Sequence, residues 1–236
     1  MCGRYVLKQV REAEEYFRSH PSPWRQSFNI APTQQVACVR VEDGERRAIN
    51  LRWGLIPFFC NGIPPKASTI NARVETVETA PSYRGPWARG QRCIQVASGF
   101  YEWHYEHGRK LPYYIHTLDQ PVFGFAGLWD RSRKDDGEVI ESVVHITVPG
   151  NTLLREIHNG GANPYRMPAI LRAQDIEPWL TGSVDEARTL LRQYDESLMT
   201  AYPVSPRVNS PKNDDPRLLE RCDPDAGLRE TVLTLR

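Results

Sequence analysis

The chain has 236 residues, which is enough for one well-packed domain or at most two small ones. Its 30 Lys and Arg residues nearly balance its 29 Asp and Glu residues, which excludes a protein that coats nucleic acid through a general positive charge. The five cysteines lie far apart without a CxxC pair, so we expect no disulfide framework and no metal site. No apolar run approaches the roughly 18 residues of a membrane span, and we see no secretory signal.

The predicted elements are a short helix, a series of strands and two late helices. An amphipathic pattern over 8–18 predicts the first helix, and a loop rich in Pro, Ser and Asn follows it. Runs rich in Val, Ile and aromatic residues, bounded by turn residues, predict strands. These runs are 35–41, 47–53, 93–103, 113–118, 122–129 and 139–148. Helical patterns return at 175–180 and 184–196.

The order of these elements, with strands first, helices late and no βαβ repeat, predicts an α+β fold. We expect a mostly antiparallel, barrel-like sheet with a few peripheral helices, in a single domain over residues 1–222. Residues 223–236 are charged and interrupted by Asp and Pro, which predicts a loosely ordered C-terminal tail.

The chain begins Met-Cys-Gly-Arg, and a small second residue permits removal of Met1. Removal leaves Cys2 with a free α-amine (reference pKa about 7.7–8.0) next to its thiol (about 8.5). Such a 1,2-aminothiol can condense with an aldehyde to an imine, which the thiol closes to a five-membered thiazolidine. The alternative is that Cys2 has no role.

Two further motifs carry polar groups that suit a reaction site. Asn71 and Arg73 are two residues apart, so an extended backbone places both side chains on one face. There the amide would hold a reacting group and the guanidinium would bind phosphate. Glu102 lies inside the aromatic run Ser98–Trp103, where apolar surroundings would raise its pKa for acid–base work. The alternatives are an ordinary turn with a salt bridge for the first motif and a solvent-facing carboxylate for the second.

Two other features have both functional and structural interpretations. His158 ends a short helical stretch before the glycine-rich residues 159–165, where an imidazole with its ordinary pKa of about 6.5 would exchange protons near neutrality. The aromatic turn 53–59, with Trp53 and Pro57, can stack on unpaired bases. A structural histidine and core packing are the respective alternatives.

Together these motifs resemble the SRAP family (SOS response-associated peptidase), whose members shield abasic sites in single-stranded DNA. In this family's pattern the histidine is followed almost at once by Arg-Met-Pro, whereas residues 159–165 intervene here. The matching blocks, in order, are MCGR at 1–4, FNIAPTQ at 28–34, RWGLIP at 52–57, INARVET at 70–76, GFYEW at 99–103, GLW at 127–129, IH at 157–158, RMPAIL at 166–171 and PVSPRVNSPKND at 203–214.

The resemblance implies roles for individual residues. Cys2 would form the thiazolidine with the sugar aldehyde, Glu102 and His158 would transfer protons, and Asn71 would orient the reacting groups. The DNA contacts would come from Arg4, Arg73, Trp53, Pro57, Trp103 and Arg166.

The resemblance also implies a setting for this chemistry. We expect a cytoplasmic monomer, associated with the nucleoid when bound to DNA, that acts on abasic single-stranded DNA without a cofactor, metal or membrane. Three alternatives stay open: a thiol peptidase that processes its own Met1, a non-covalent reader of modified DNA, and a weak β-elimination (lyase) activity.

Overall fold

The computed structural model describes residues 2–19 and 21–223. Within them the chain forms thirteen strands and five α-helices. The strands are β1 Tyr5–Leu7, β2 Ser27–Ile30, β3 Gln35–Glu42, β4 Glu45–Trp53, β5 Asn71–Arg73, β6 Arg92–Ala97, β7 Gly99–Glu106, β8 Arg109–Thr117, β9 Phe123–Arg133, β10 Val139–Pro149, β11 Arg166–Pro168, β12 Ile170–Leu171 and β13 Met199–Pro203. The helices are α1 Val10–Phe17, α2 Pro81–Ala88, α3 Thr152–Ile157, α4 Ile176–Thr181 and α5 Val184–Leu190. Of the predicted tail, residues 224–236 lie outside the described residues.

Five strands close into a barrel, in the order β10-β4-β3-β6-β9 and back to β10. All these pairs are antiparallel except β10 with β4, which run parallel. Closure leaves these strands without free edges and fills the interior with side chains such as Trp53, Phe125 and Val144. The predicted α+β fold with a barrel-like, mostly antiparallel sheet is confirmed.

A second, antiparallel sheet has the order β13-β8-β7-β1-β2. Its central pairing joins the N-terminal strand to β7, with Tyr5 opposite Phe100 and Val6 opposite Gly99. On one face Val6, Tyr101 and Tyr114 pack in a small apolar cluster with residues from the C-terminal segment. Strand β1, close to the N-terminus, is therefore an inner strand of this sheet.

The prediction of a single strand over residues 93–103 is wrong, because these residues form parts of two strands. β6 belongs to the barrel and β7 to the second sheet, and the chain changes sheets at Ser98, whose backbone N–H donates to the Val6 carbonyl. Gly99 permits the change, since a Cβ there would lie 2.3 Å from the Tyr114 hydroxyl oxygen.

The last predicted helix, 184–196, is also shorter than expected and ends at Leu190. The cause is Tyr194, which is buried and donates its hydroxyl to Asp119 at 2.7 Å. Its backbone carbonyl accepts from Asn151, so the chain must leave the helix to make these long-range contacts. No helix in the described part of the chain is long and apolar enough to cross a membrane.

Candidate active site at the N-terminus

Cys2 is buried inside the fold, with only 1% of its surface exposed. The segment that follows it extends the β1–β7 pairing, because the Tyr101 N–H donates to the Arg4 carbonyl at 2.9 Å. From the barrel side, Asn71 Nδ2 donates to the Cys2 carbonyl at 3.0 Å. Chain termini usually fray, but these two hydrogen bonds fix the backbone at the Cys2 carbonyl and at the Arg4 carbonyl two residues later.

The Arg4 side chain anchors this segment to distant parts of the sequence. Its Nη1 donates to Asn29 Oδ1 and to the Val208 carbonyl, both at 3.0 Å. Asn29 in turn donates to the carbonyls of Ser210 and Asn213. The Arg4 guanidinium, which was predicted to bind phosphate, is therefore already engaged in hydrogen bonds within the protein. Asn29 was missed as a site residue, although it lies in one of the motif blocks.

Asn71 is placed by β5, which runs parallel to β10 with Asn71 opposite His145. The side chain is buried, and no group in the described residues donates to its Oδ1. A buried amide oxygen without a donor is costly, so it is ready to accept a hydrogen bond from a group that enters the site.

Glu102 and His158 come together from different elements. Glu102 lies in β7 and His158 directly follows α3, and Glu102 Oε2 is 4.0 Å from His158 Nε2. Both side chains are nearly inaccessible, at 2% and 5% exposure. His158 Nδ1 lies 3.0 Å from the carbonyl oxygen of Arg166, which orients the ring. The two residues that the motifs singled out therefore form a buried pair.

Burial moves the pKa values of this pair in opposite directions. It raises the pKa of Glu102 to about 7 and lowers the pKa of His158 to about 4, because the charged form of each group loses its hydration. The expectation that His158 titrates near neutrality is wrong for this reason. At pH 7 the imidazole is neutral, and Glu102 is the group poised to give and take a proton.

Burial also raises the pKa of the Cys2 thiol well above its usual range, and the nearby Glu102 carboxylate adds to this effect. The thiol is therefore protonated at rest. A thiolate forms at Cys2 only if a neighbouring group accepts the proton during a reaction.

A cavity of about 160 Å³ opens onto the Glu102–His158 pair. Trp103 and Lys110 line it together with Tyr105. The Lys110 ammonium lies 4.8 Å from the centre of the Trp103 ring, so the cavity carries one cation over an aromatic face. Lys110 was missed, since nothing in the sequence set it apart from other surface lysines.

Two of the predicted DNA-stacking residues are corrected by the structure. Trp53 is fully buried, donates its indole N–H to the Ile70 carbonyl and packs on Tyr5, and Pro57 is buried as well. Neither side chain presents a surface to a base. The exposed aromatics of the same turn are Phe58 and Phe59, at 56% and 51% exposure. We call this pair the aromatic tip.

The other predicted DNA-contact residues differ in how free they are. Arg73 is exposed at the end of β5. Arg166 is held by Glu75 through two hydrogen bonds of 2.8 and 2.9 Å, and its side chain is 12% exposed. Trp103 is half-buried and donates to Asn209. Arg73 is therefore accessible to a phosphate. Arg166 is instead engaged in an ion pair with Glu75, which joins the motif block at 166–171 to the one at 70–76. In the described part of the chain, no group of three or more His, Cys, Asp or Glu residues could hold a metal.

The whole of this architecture matches one protein family. The family model described as SOS response associated peptidase (SRAP) matches residues 1–211. The chain belongs to the SRAP family. The match covers both sheets and every site residue discussed above, so the family assignment that the motifs predicted is confirmed.

Among SRAP relatives, the abasic site processing protein YoqW of Bacillus subtilis is 34% identical over 229 residues, which is 93% of this chain and 99% of that one. The abasic site processing protein HMCES of Gallus gallus is 33% identical over 252 residues, or 92% of this chain and 72% of that one. A crystal structure of a protein from Bacteroides thetaiotaomicron superposes with a TM-score of 0.82 at 30% identity and covers 94% of this chain and 100% of that one.

The raised pKa of Glu102 predicts a pH-dependent cost in stability. Ionising this buried carboxyl destabilises the folded protein, and the loss grows as pH rises from 4.5 and is complete above about 7. Glu102→Gln removes the loss, so the variant should exceed wild type at pH 8 by on the order of 3 kcal/mol, from 1.36 kcal/mol per pKa unit.

Urea unfolding at pH 4.5, 6 and 8 measures this difference. The stability difference between variant and wild type should widen with pH, and Glu106→Gln, on an exposed residue of the same strand, should not reproduce it. A constant difference across this range would show that Glu102 is not a buried, proton-holding group.

Proposed function

We propose that this protein forms a covalent bond between Cys2 and the aldehyde of an abasic site in single-stranded DNA. The observation that carries the proposal is the burial of Cys2 beside Glu102, a carboxyl whose pKa burial raises to about 7 and which lines a small cavity. The names of the relatives YoqW and HMCES, abasic site processing proteins, support the choice of DNA lesion.

The reaction requires Met1 to be removed, so that Cys2 carries a free amine. The amine nitrogen attacks the aldehyde carbon of the ring-opened sugar, and the carbonyl oxygen gains a proton. Glu102 in its acid form then protonates the hydroxyl, which leaves as water and gives a protonated imine. The Cys2 sulfur adds to the same carbon while its proton passes to the Glu102 carboxylate. Amine, thiol and aldehyde are thus converted to a thiazolidine and one water.

The remaining polar groups assist this sequence. Asn71 holds the Cys2 carbonyl and offers its unused Oδ1 to the reacting amine or sugar hydroxyl. The neutral His158, oriented by the Arg166 carbonyl, lies 4.0 Å from Glu102 and assists the proton transfers that Glu102 carries out. Proton transfer of this kind typically contributes about 10²–10⁴-fold in rate.

Recognition of the strand would come from exposed residues outside the cavity lining. Arg73 meets a backbone phosphate, and the aromatic tip stacks on bases, which requires the unpaired bases of a single strand. The net charge of +1 suits a protein that binds at a local site and not along the whole DNA.

A thiol peptidase is the less favoured function. A peptidase nucleophile needs a thiolate at rest, whereas burial raises the pKa of the Cys2 thiol. The thiazolidine reaction needs the thiol only after the imine has formed, when Glu102 is ready to take its proton. The geometry around Cys2 therefore supports reaction with an aldehyde over hydrolysis of a peptide.

Retention of Met1 should abolish the stable crosslink. An extra residue turns the Cys2 amine into an amide nitrogen, which forms no imine, and the thiol alone gives only a labile hemithioacetal. The measurement is a denaturing gel after incubation with abasic single-stranded DNA, for a processed protein and one that keeps Met1, each verified by intact mass.

Cys2→Ser, processed to a free amine, is the matched control. It should give a band only when a reductant traps the imine, because no sulfur is present to close the ring. A heat-stable crosslink from the Met1-retaining protein at the rate of the processed protein would rule out the amine mechanism.

Arg73→Ala and Phe59→Ala should weaken DNA binding in different ways. Loss of one phosphate contact on a single strand lowers the slope of log K against log salt by about 0.7, whereas loss of a stacked base costs about 1–3 kcal/mol and leaves the slope unchanged. Titrations with a labelled oligonucleotide at several salt concentrations separate the two effects. If Arg73→Ala keeps the wild-type slope, Arg73 binds no phosphate, and if Phe59→Ala keeps the wild-type affinity, Phe59 stacks on no base.

A further inference from the structure

Lys110 lines the cavity that also carries Glu102 and His158. It is an exposed residue and lies opposite Tyr105 in the pairing of β7 with β8. Its ammonium nitrogen is 4.8 Å from the centre of the Trp103 ring and 5.9 Å from the centre of the Tyr105 ring. Two aromatic rings therefore hold one cation on the exposed side of the cavity.

The two aromatic residues are themselves held in place. Trp103 Nε1 donates to Asn209 Oδ1 at 2.9 Å, and the backbone N–H and carbonyl of Tyr105 are hydrogen-bonded to the side chain of Asn159 at 2.8 and 3.1 Å. In the described part of the chain, no carboxylate forms an ion pair with the Lys110 ammonium. The ammonium is thus placed by its neighbours while its charge is not neutralised, which leaves it able to bind an anion.

The anion that a DNA substrate brings to this cavity is phosphate. Every sugar within a strand is joined to a phosphate on each side, so a sugar whose aldehyde approaches Glu102 carries a phosphate towards Lys110. An ammonium binds phosphate as a point charge, without the fixed geometry of a guanidinium. This contact differs from those proposed for Arg73 and the aromatic tip, which lie outside the cavity lining.

The charge of Lys110 also acts on Glu102. Burial raises the pKa of Glu102 to about 7, and the positive charges of the amino terminus and of Lys110 limit this rise because they favour the carboxylate. The other groups that face Glu102 are the Cys2 thiol, whose pKa burial raises well above its usual range, and the His158 imidazole, which is neutral at pH 7. Of the two cations, Lys110 is the exposed one, whereas after processing the amine belongs to the buried Cys2.

We propose that Lys110 binds a phosphate beside the abasic sugar and that this contact couples DNA binding to the uptake of a proton by Glu102. The inference rests on the proposed function, since the phosphate belongs to the strand whose aldehyde reacts. A bound phosphate neutralises the ammonium and adds negative charge near the carboxylate, which then takes a proton from the buffer. The acid form of Glu102, which the loss of water from the aldehyde adduct requires, is therefore formed when the substrate binds.

The competing explanation is that Lys110 only adds affinity for the strand. In that case its loss would weaken DNA binding by the same factor at every pH. If binding takes up a proton, affinity rises as pH falls. A phosphate that raises the pKa of Glu102 by about one unit from its value of about 7 makes the affinity about 5-fold higher at pH 6 than at pH 8.

The experiment measures how tightly the processed protein binds a single-stranded oligonucleotide that carries tetrahydrofuran, an abasic analogue without an aldehyde, at fixed ionic strength from pH 6 to pH 8. Wild type should show this change in addition to the pH dependence that Glu102→Gln retains, which comes from other groups. Lys110→Gln should show only the retained part. Lys110→Arg keeps a cation and should behave as wild type. Lys134→Gln, the matched change at a lysine outside the cavity lining, should also behave as wild type.

A second pair of oligonucleotides locates the phosphate. A neutral methylphosphonate replaces the phosphate on the 5′ side or on the 3′ side of the tetrahydrofuran. One of the two replacements should abolish the Glu102-dependent part of the pH dependence in wild type. The same replacement should change nothing further in Lys110→Gln, because that variant has already lost the contact.

The remaining outcomes contradict the inference in distinct ways. The full wild-type pH dependence in Lys110→Gln or in Glu102→Gln overturns the coupling, and the full pH dependence with both methylphosphonates overturns the phosphate contact. Crosslinking of the same proteins to a true abasic strand is followed in parallel. No crosslink with wild type overturns the proposed function, whereas proton uptake with the analogue involves no covalent bond, so the two failures are distinguishable.

Discussion

The pairing of the N-terminal strand with β7 is the interaction on which the site depends. It places Tyr5 opposite Phe100, and the Tyr101 N–H then holds the Arg4 carbonyl, so Cys2 is carried to the side of Glu102. A free N-terminus would otherwise sample many positions, and the entropy of fixing it must be offset by contacts elsewhere. Those contacts are the bond from Asn71 and the anchoring of the Arg4 side chain by Asn29 and Val208. Motif blocks far apart in the sequence thus serve one purpose, the placement of the second residue.

The same burial that fixes Cys2 sets the chemistry of its neighbours. A carboxyl in this position is costly when charged, and that cost raises the pKa of Glu102 to about 7 while the imidazole of His158 stays neutral. Perturbed groups of this kind gather at functional sites, where stability is given up for reactivity. The resting thiol of Cys2 is kept protonated by the same surroundings, which favours a reaction whose sulfur step comes last.

Much of the fold can be predicted from the sequence, because local residue patterns determine where its long strands and its first helix lie. The helix at 8–18 and the long strands β3, β4 and β6 to β10 lie where apolar periodicity and turn residues put them, within a few residues at their ends. The short strands β1, β2, β5, β11, β12 and β13 had no such pattern and were not predicted. The errors came where distant contacts override the local pattern. The strand 93–103 divides because the chain changes sheets at Ser98, and the helix from Val184 stops early because Tyr194 is hydrogen-bonded to Asp119.

The sequence identifies residues of the site, but it does not predict the distances between them or their burial. Glu102 and His158 were chosen from separate motifs, while their 4.0 Å separation and the order of their pKa values depend on burial that only the fold defines. Within the turn 53–59, composition could not tell which aromatics face inward, so Trp53 was expected outside and Phe58 and Phe59 were overlooked. In the sequence, residues 159–165 stand out only as a longer interval before Arg166, and the contact of the Asn159 side chain with the Tyr105 backbone depends on the fold.

Intact mass after alkylation tests the central claim most directly. The processed protein is mixed with an abasic oligonucleotide, denatured and treated with a thiol-alkylating reagent. The chain has five cysteines, so a thiazolidine at Cys2 leaves four to react. The account predicts an adduct of protein plus oligonucleotide minus one water, carrying four alkyl groups. An adduct with five alkyl groups, or no adduct at all, would contradict it.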